Sequence, residues 1–192
     1  MRVKARPPVE FWTIGHSNRT AAGFESVLSA HGIEVIADVR RHPGSRTNPQ
    51  FGSAQLADSL AAAGIGYVWL PRLGGRRRGE SGPNQAGWRN PSFRAYASYT
   101  LSDEFAQGLD ELLCIGAGAR TAIMCSELLW WRCHRALISD VLRFIGAKVI
   151  HLVGEGAGTP HPYTSPARIV DGELRYPAQV TTGSGIDRRN DA

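Results

Sequence analysis

One pattern recurs along the chain and leaves few folds open: an amphipathic helix, a glycine, then a short strand of β-branched or aromatic residues. Thr20 can cap a helix whose Phe24, Val27 and Leu28 share one face, and Gly32 closes it before Glu34–Val39. Ser53 opens a second helix with Leu56, Leu60 and Ala63 aligned, and Gly64 precedes Tyr67–Leu70. A third carries Leu137, Ile138, Val141, Leu142 and Ile145, with Gly146 ahead of Lys148–Val153. A longer helical stretch, Ser92–Ile115 with a bend near Ser102, leads through Gly116 and Gly118 to Thr121–Cys125. Phe11–Ile14 stands before all of these.

Five short apolar strands alternating with helices predict a single three-layer α/β domain, its mainly parallel five-stranded sheet flanked by helices. Ile169–Leu174 carries the Asp-Gly pair of a tight turn and predicts a C-terminal hairpin. The domain is expected over residues 11–178, behind an N-terminal extension at 1–10 and ahead of a polar, disordered tail at 179–192.

Of the 192 residues, 42% are apolar and 20% charged, a globular balance. No run approaches the roughly 18 apolar residues of a membrane span, and the charged start lacks the apolar core of a secretory leader. Three cysteines make no disulfide framework, so a soluble, cytoplasmic protein is expected. The net charge of +5 is carried almost wholly by arginine, the only lysines being Lys4 and Lys148. Arginine's planar fork suits phosphate or carboxylate, although a G- and C-rich genome gives the same bias. An anionic partner, a nucleotide or nucleic acid, is expected; the oligomeric state is left open.

Ligands of open parallel sheets bind outside the carboxyl ends of the strands. That rule selects Gly15-His16-Ser17, Asp38-Val39-Arg40 with Arg41, Pro71–Gly75, Cys125-Ser126-Glu127 and His151. Asp38 and Glu127 would form a carboxylate pair for acid and base work, with His16 as proton carrier. The plainer alternatives are an Asp that caps a turn and a Glu on a surface loop. Cys133-His134-Arg135 precedes the last helix, whose free N–H groups favour an anion and an accessible thiolate. Against that stands a buried small cysteine with Arg135 paired to Asp38 or Glu127. Cys125 reads as strand core or as a substrate contact, and Cys114 as helix packing.

His16, Cys125, Cys133 and His134 lack the paired spacing of a zinc motif, so no metal is expected. A Walker loop and a Gly-x-Gly-x-x-Gly turn are absent after the strands, so no nucleotide cofactor is expected either. Arg72, Arg76, Arg77 and Arg78 with Gly74 and Gly75 read as a basic, flexible loop. Trp88, Trp130 and Trp131 near these arginines would stack bases, or else plug loops onto the core.

Thr13-Ile14-Gly15-His16-Ser17, Ile36–Arg40 with Pro43 and Ser45, Leu73-Gly74-Gly75, Met124–Glu127 and Cys133-His134-Arg135 occur in this order. Together they resemble the DUF488 family, a domain of unknown function, over about residues 11–177 with His161-Pro162 and Tyr176-Pro177 near the end. The resemblance implies an α/β domain and no particular reaction. Family members usually carry a charged, Asp- or Pro-containing link where this chain has Leu128-Leu129-Trp130-Trp131-Arg132.

The leading expectation is a hydrolase or related transferase acting on a nucleotide or nucleic acid, cleaving an N-glycosidic or phosphoester bond. Glu127, Asp38, His16 and Cys133 would act in catalysis. Ser17, Arg40, Arg41, Gly74, Gly75, Arg76, Cys125, His134 and Arg135 would bind substrate. The alternatives are a thiol-dependent enzyme using Cys133 or Cys125, and a non-catalytic nucleic-acid-binding module.

Overall fold

The computed structural model describes residues 9–44, 46–77, 82 and 85–178. Residues 1–8, Ser45, Arg78 and the 179–192 tail, on which some of the expectations fall, lie outside the described residues.

The five expected strands form: β1 (Glu10–Gly15), β2 (Val35–Asp38), β3 (Gly66–Trp69), β4 (Thr121–Cys125) and β5 (Lys148–Leu152). They run parallel in the order β3-β2-β4-β1-β5. A sixth strand, β6 (Thr159–Pro160), adds antiparallel to β5. Two residues, one of them proline, carry no periodicity, and proline is tolerated at just such an edge. The hairpin pairs β7 (Arg168–Val170) with β8 (Glu173–Arg175) as a separate sheet. Its turn residues Asp171 and Gly172 both have positive φ, 53° and 75°, as a two-residue turn of matching twist requires.

The helices are α1 (Ala21–Ala30), α2 (Ser53–Ala62), α3 (Pro91–Tyr99), α4 (Asp103–Gly118) and α5 (Arg135–Phe144). The long helical stretch divides at Ser102, whose hydroxyl accepts the Phe105 N–H at 3.2 Å and caps α4. Gly32, Gly64 and Gly146 follow α1, α2 and α5 with φ of 58°, 74° and 93°, the left-handed exit a side chain would strain.

Strand residues alternate between two cores. Phe11, Ile123 and Val149 pack with Phe105 and Leu112 of α4 and Leu137 and Ile138 of α5. Trp12, Ile14, Ile36 and Met124 pack with Phe24, Val27 and Leu28 of α1 and Leu56 and Leu60 of α2. Each such buried side chain contributes roughly 1.5–3 kcal/mol. Both faces are therefore needed, and the apolar runs of the strands reflect burial on both sides. Cys114 is exposed on α4 rather than packed as expected. Among the described residues, no helix is long and apolar enough to cross a membrane.

The strand order makes a crevice. The chain leaves β1 and β2 through α1 and α2 on one face, but leaves β4 through α5 on the other. Since β4 lies between β1 and β2, the loops after these three strands splay apart above their carboxyl ends.

Candidate functional site

An open cavity of about 840 Å³ occupies this crevice. His16–Asn18 follow β1, Arg40–His42 follow β2, Gly75 and Arg76 follow β3, and Cys125–Leu129 follow β4 along its wall. Phe93 and Tyr96 of α3 and Arg132–His134 ahead of α5 complete it. Ser17 and Arg76, two non-glycine residues with positive φ (49° and 57°), both line it. Strained backbone of this kind collects at functional sites.

The floor holds two thiols and an imidazole. Cys133 Sγ lies 3.5 Å and Cys125 Sγ 3.9 Å from His134 Nδ1. His134 Nε2 donates to the Val39 carbonyl at 3.0 Å, which fixes the tautomer and leaves Nδ1 an acceptor. Gly75 presses on the ring face; an added Cβ would come within 2.8 Å of Nδ1 and 3.1–3.2 Å of its ring neighbours. Burial alone would raise the Cys133 thiol, but its hydrogen bond with Cys125 and the charge, amide and guanidinium of Arg135 bring it down to about 6. The contact with Cys133, together with burial, pushes Cys125 up to about 12.

Glu127 stands exposed in the wall, and its carboxylate makes no hydrogen bond or ion pair among the described residues. Arg41, Arg76 and Arg132 are likewise exposed along the wall and form no ion pair among the described residues. Arg77 is different. It is held by the Gly74, Pro71 and Arg72 carbonyls and lies 3.7 Å over the Tyr99 ring. Gly74 and Gly75 are buried, and Tyr96 OH donates to the Leu73 carbonyl at 2.6 Å. The segment 71–77 is thus a pinned wall, not the flexible loop the composition suggests.

Asp38 is not a partner of Glu127. It is fully buried, shares the α1/α2 face of β2 with Ile36, and does not line the cavity. Its carboxylate accepts from Arg40 Nε at 2.9 and 3.0 Å, from Arg40 Nη2 at 2.6 Å and from Tyr67 OH at 2.7 Å. Arg40 in turn donates through Nη1 to the Phe51 carbonyl (2.7 Å) and to His16 Nε2 (3.3 Å). His16 Nδ1 donates to the Ser17 carbonyl at 2.9 Å, and its ring stacks on Phe51. Burial lowers His16 to about 4, assisted by the Arg40 charge and opposed by the Ser17 bond. Both ring nitrogens are engaged, and the imidazole supports Arg40 from the cavity wall.

Arg135 also turns inward, with 1% of its surface exposed. It donates to the Glu127 carbonyl, to the Leu128 carbonyl at 3.4 Å and to Thr13 Oγ1 at 3.2 Å. It ties down the loop bearing Glu127 and does not line the cavity. The same Thr13 hydroxyl donates to His151 Nδ1 (2.7 Å), His151 Nε2 to His161 Nδ1 (2.8 Å), and His161 Nε2 to Asp140 (3.0 Å). His151, expected at the sheet edge, is buried level with Thr13 inside this chain of bonds. Asp140, Thr13 and His161 escaped the sequence reading as site supports; Thr13 and His161 figured only within the motifs of the family resemblance. Trp130 stacks on His151, and Trp88 packs on Phe93 and Tyr176, so neither offers a face to the cavity.

A family profile described as "Domain of unknown function DUF488" matches residues 20–142, well over half of the chain. The chain belongs to the DUF488 family. That match begins after β1 and ends within α5, a shorter span than the motif resemblance. Within it lie both cysteines of the cavity floor, His134 and Glu127. No curated protein and no solved structure matches the chain.

Proposed function

We propose that this DUF488 protein is an enzyme that hydrolyses a bond in a nucleotide or nucleic-acid substrate held in the cavity. The observation that carries this reading is a carboxylate, Glu127, in the same wall as three arginines, Arg41, Arg76 and Arg132, none of them ion-paired among the described residues. The arginines suit phosphate groups, which planar guanidinium donors recognise bidentately. Phe93, half-buried in the wall, gives apolar surface against which a base can lie. Glu127 acts as the single acid/base group, relaying a proton between water and the leaving group. Asp38, His16 and Arg135 are positioning residues. A concave site of this size is ordinary for a small-molecule enzyme, whereas a binding module alone expects a flatter basic face. Purified protein is to be assayed against modified DNA, RNA and nucleosides. Turnover of one class, inhibited by inorganic phosphate, is expected; no turnover and no binding across the panel contradicts the reading.

The Cys133–His134 contact favours a second reading, thiol catalysis. Nδ1 of His134 accepts the Cys133 proton, the sulfur displaces the leaving group to give a covalent intermediate, the proton passes from His134 to the departing group, and water then frees the thiol. That reading requires substrate-dependent labelling of Cys133, which direct hydrolysis does not.

A further inference from the structure

We propose that Cys125, Cys133 and His134 form a metal site, a Cys2His donor set suited to zinc, with the remaining coordination position open to the cavity. The two thiols and the imidazole come from three places in the fold: the end of β4, the extended residue ahead of α5, and the residue that caps α5. Sequence spacing conceals them, because eight residues separate the cysteines and His134 adjoins the second. The fold nevertheless brings their three ligand atoms within 4.8 Å of one another.

The distances suit a tetrahedral ion. Zinc bonds of about 2.3 Å to sulfur and 2.0–2.1 Å to nitrogen place neighbouring S and N ligands about 3.5 Å apart at the tetrahedral angle. The observed S–N separations are 3.5 and 3.9 Å. The second observation is the imidazole's outer bond. A metal-binding histidine characteristically donates its other N–H to a carbonyl or carboxylate, which fixes the ring and increases its basicity. His134 does this through Nε2 to Val39, so the Nδ1 lone pair faces the two sulfurs. A Cβ added at Gly75 would lie 2.8 Å from Nδ1 and only 3.1–3.2 Å from both ring carbons beside it, which places it over the ring face and off the in-plane lone-pair direction. Two thiolates balance the charge of a divalent zinc ion.

Three protein ligands and one open position mark a catalytic rather than a structural zinc site. All three ligands line the cavity, so the fourth position faces the substrate space that Glu127 also lines. Nucleobase deaminases combine this donor set with a glutamate two residues after the first ligand, the spacing of Cys125 and Glu127 here. The catalytic role rests on the hydrolytic reading above; metal binding does not. In that role a metal-bound water gives one proton to Glu127 and the hydroxide bonds to the electrophilic atom of the substrate. The scissile bond breaks with its electron pair on the leaving group, which takes the proton back from Glu127.

The full chain, stripped with chelator under reducing conditions, is titrated with zinc and, separately, with cobalt(II). One equivalent is expected to bind, with the thiolate-to-cobalt charge transfer and intense visible bands of a tetrahedral site. Zinc should protect Cys125 and Cys133, but not exposed Cys114, from alkylation read peptide by peptide in the unaltered protein. Cys125→Ala and Cys133→Ala should each weaken zinc by 100-fold or more, since even an outer-shell loss costs about 10–100-fold. Cys114→Ser should leave affinity unchanged. The absence of stoichiometric binding, or alkylation of all three cysteines unaffected by zinc, overturns the site even where a variant fails to fold. Turnover that persists in chelator removes the metal role and leaves the hydrolytic reading standing. Bound zinc without turnover or binding across the substrate panel keeps the metal site and ends that reading.

Discussion

His134 Nε2 lies 3.0 Å from the carbonyl oxygen of Val39, and this hydrogen bond sets the chemistry of the cavity floor. A carbonyl only accepts, so the ring proton resides on Nε2 and the Nδ1 lone pair turns toward Cys125 and Cys133. Two-bond proton–nitrogen NMR of chelator-treated protein should show the Nε2–H tautomer for His134. Finding the proton on Nδ1 would remove both the base and the ligand roles of this ring.

Asp38 and Arg40 form a buried ion pair with 2.6 Å between Nη2 and Oδ2. Removing one charge from such a pair leaves the other uncompensated, at a typical cost of about 3–5 kcal/mol. Asp38→Asn should therefore lose about that much stability in urea denaturation. A loss below about 1 kcal/mol would mean that the pair does not hold β2's exit in place.

The contrast between Asp38 and Glu127 shows what the sequence carried. Asp38 ends one apolar strand and Glu127 follows another by two residues, so along the chain they are equally suggestive. The helices, glycine exits and five parallel strands were legible because burial on both faces leaves apolar runs, and Gly32, Gly64 and Gly146 punctuate them. The position of the site was legible as well, since ligands collect at the carboxyl ends of the strands, but the strand order that opens the crevice was not. Which way a charged side chain turns was not. Asp38 shares Ile36's face, while Arg135 meets Thr13 across 122 residues of chain. The Cys125–Cys133–His134 cluster depends on how β4 and α5 pack, which local spacing does not encode.

Arg41, Arg76 and Arg132 should govern anion affinity. Replacing one with alanine should weaken polyanion binding and reduce the logarithmic salt slope by roughly 0.7–0.9 for each phosphate left without its guanidinium. Arg77→Ala should lower stability and leave the slope alone, because its donors are spent on backbone carbonyls. Equal slopes for Arg77→Ala and Arg76→Ala would contradict the placement.

Two buried histidines make the fold acid-sensitive. Burial and the Arg40 charge, partly opposed by the Ser17 bond, lower His16 to about 4. Burial, with the charges of His161 and Arg135, lowers His151 to about 2. In the unfolded chain both titrate near 6.5, so below that pH the unfolded state binds more protons and gains. The stability present above about pH 6.5 is thus lost on acidification, until the folded histidines themselves protonate. The melting temperature should fall between pH 7 and 5. His16→Gln, whose amide oxygen can still accept from Arg40, should flatten that fall; an unchanged slope would assign it to other groups.

Glu127→Gln decides whether this side chain is the acid/base group of the cavity, with the parent protein compared on whichever nucleotide or nucleic acid the panel identifies. The carboxamide keeps the shape and removes both the charge and the proton transfer. Because the side chain is exposed and unpaired among the described residues, stability should stay within about 0.5 kcal/mol. Turnover should drop on the order of 100-fold or more, as for loss of a general acid or base, while phosphate still competes for the cavity. A Glu127→Gln protein that retains full turnover would contradict that role and the hydrolytic mechanism built on it.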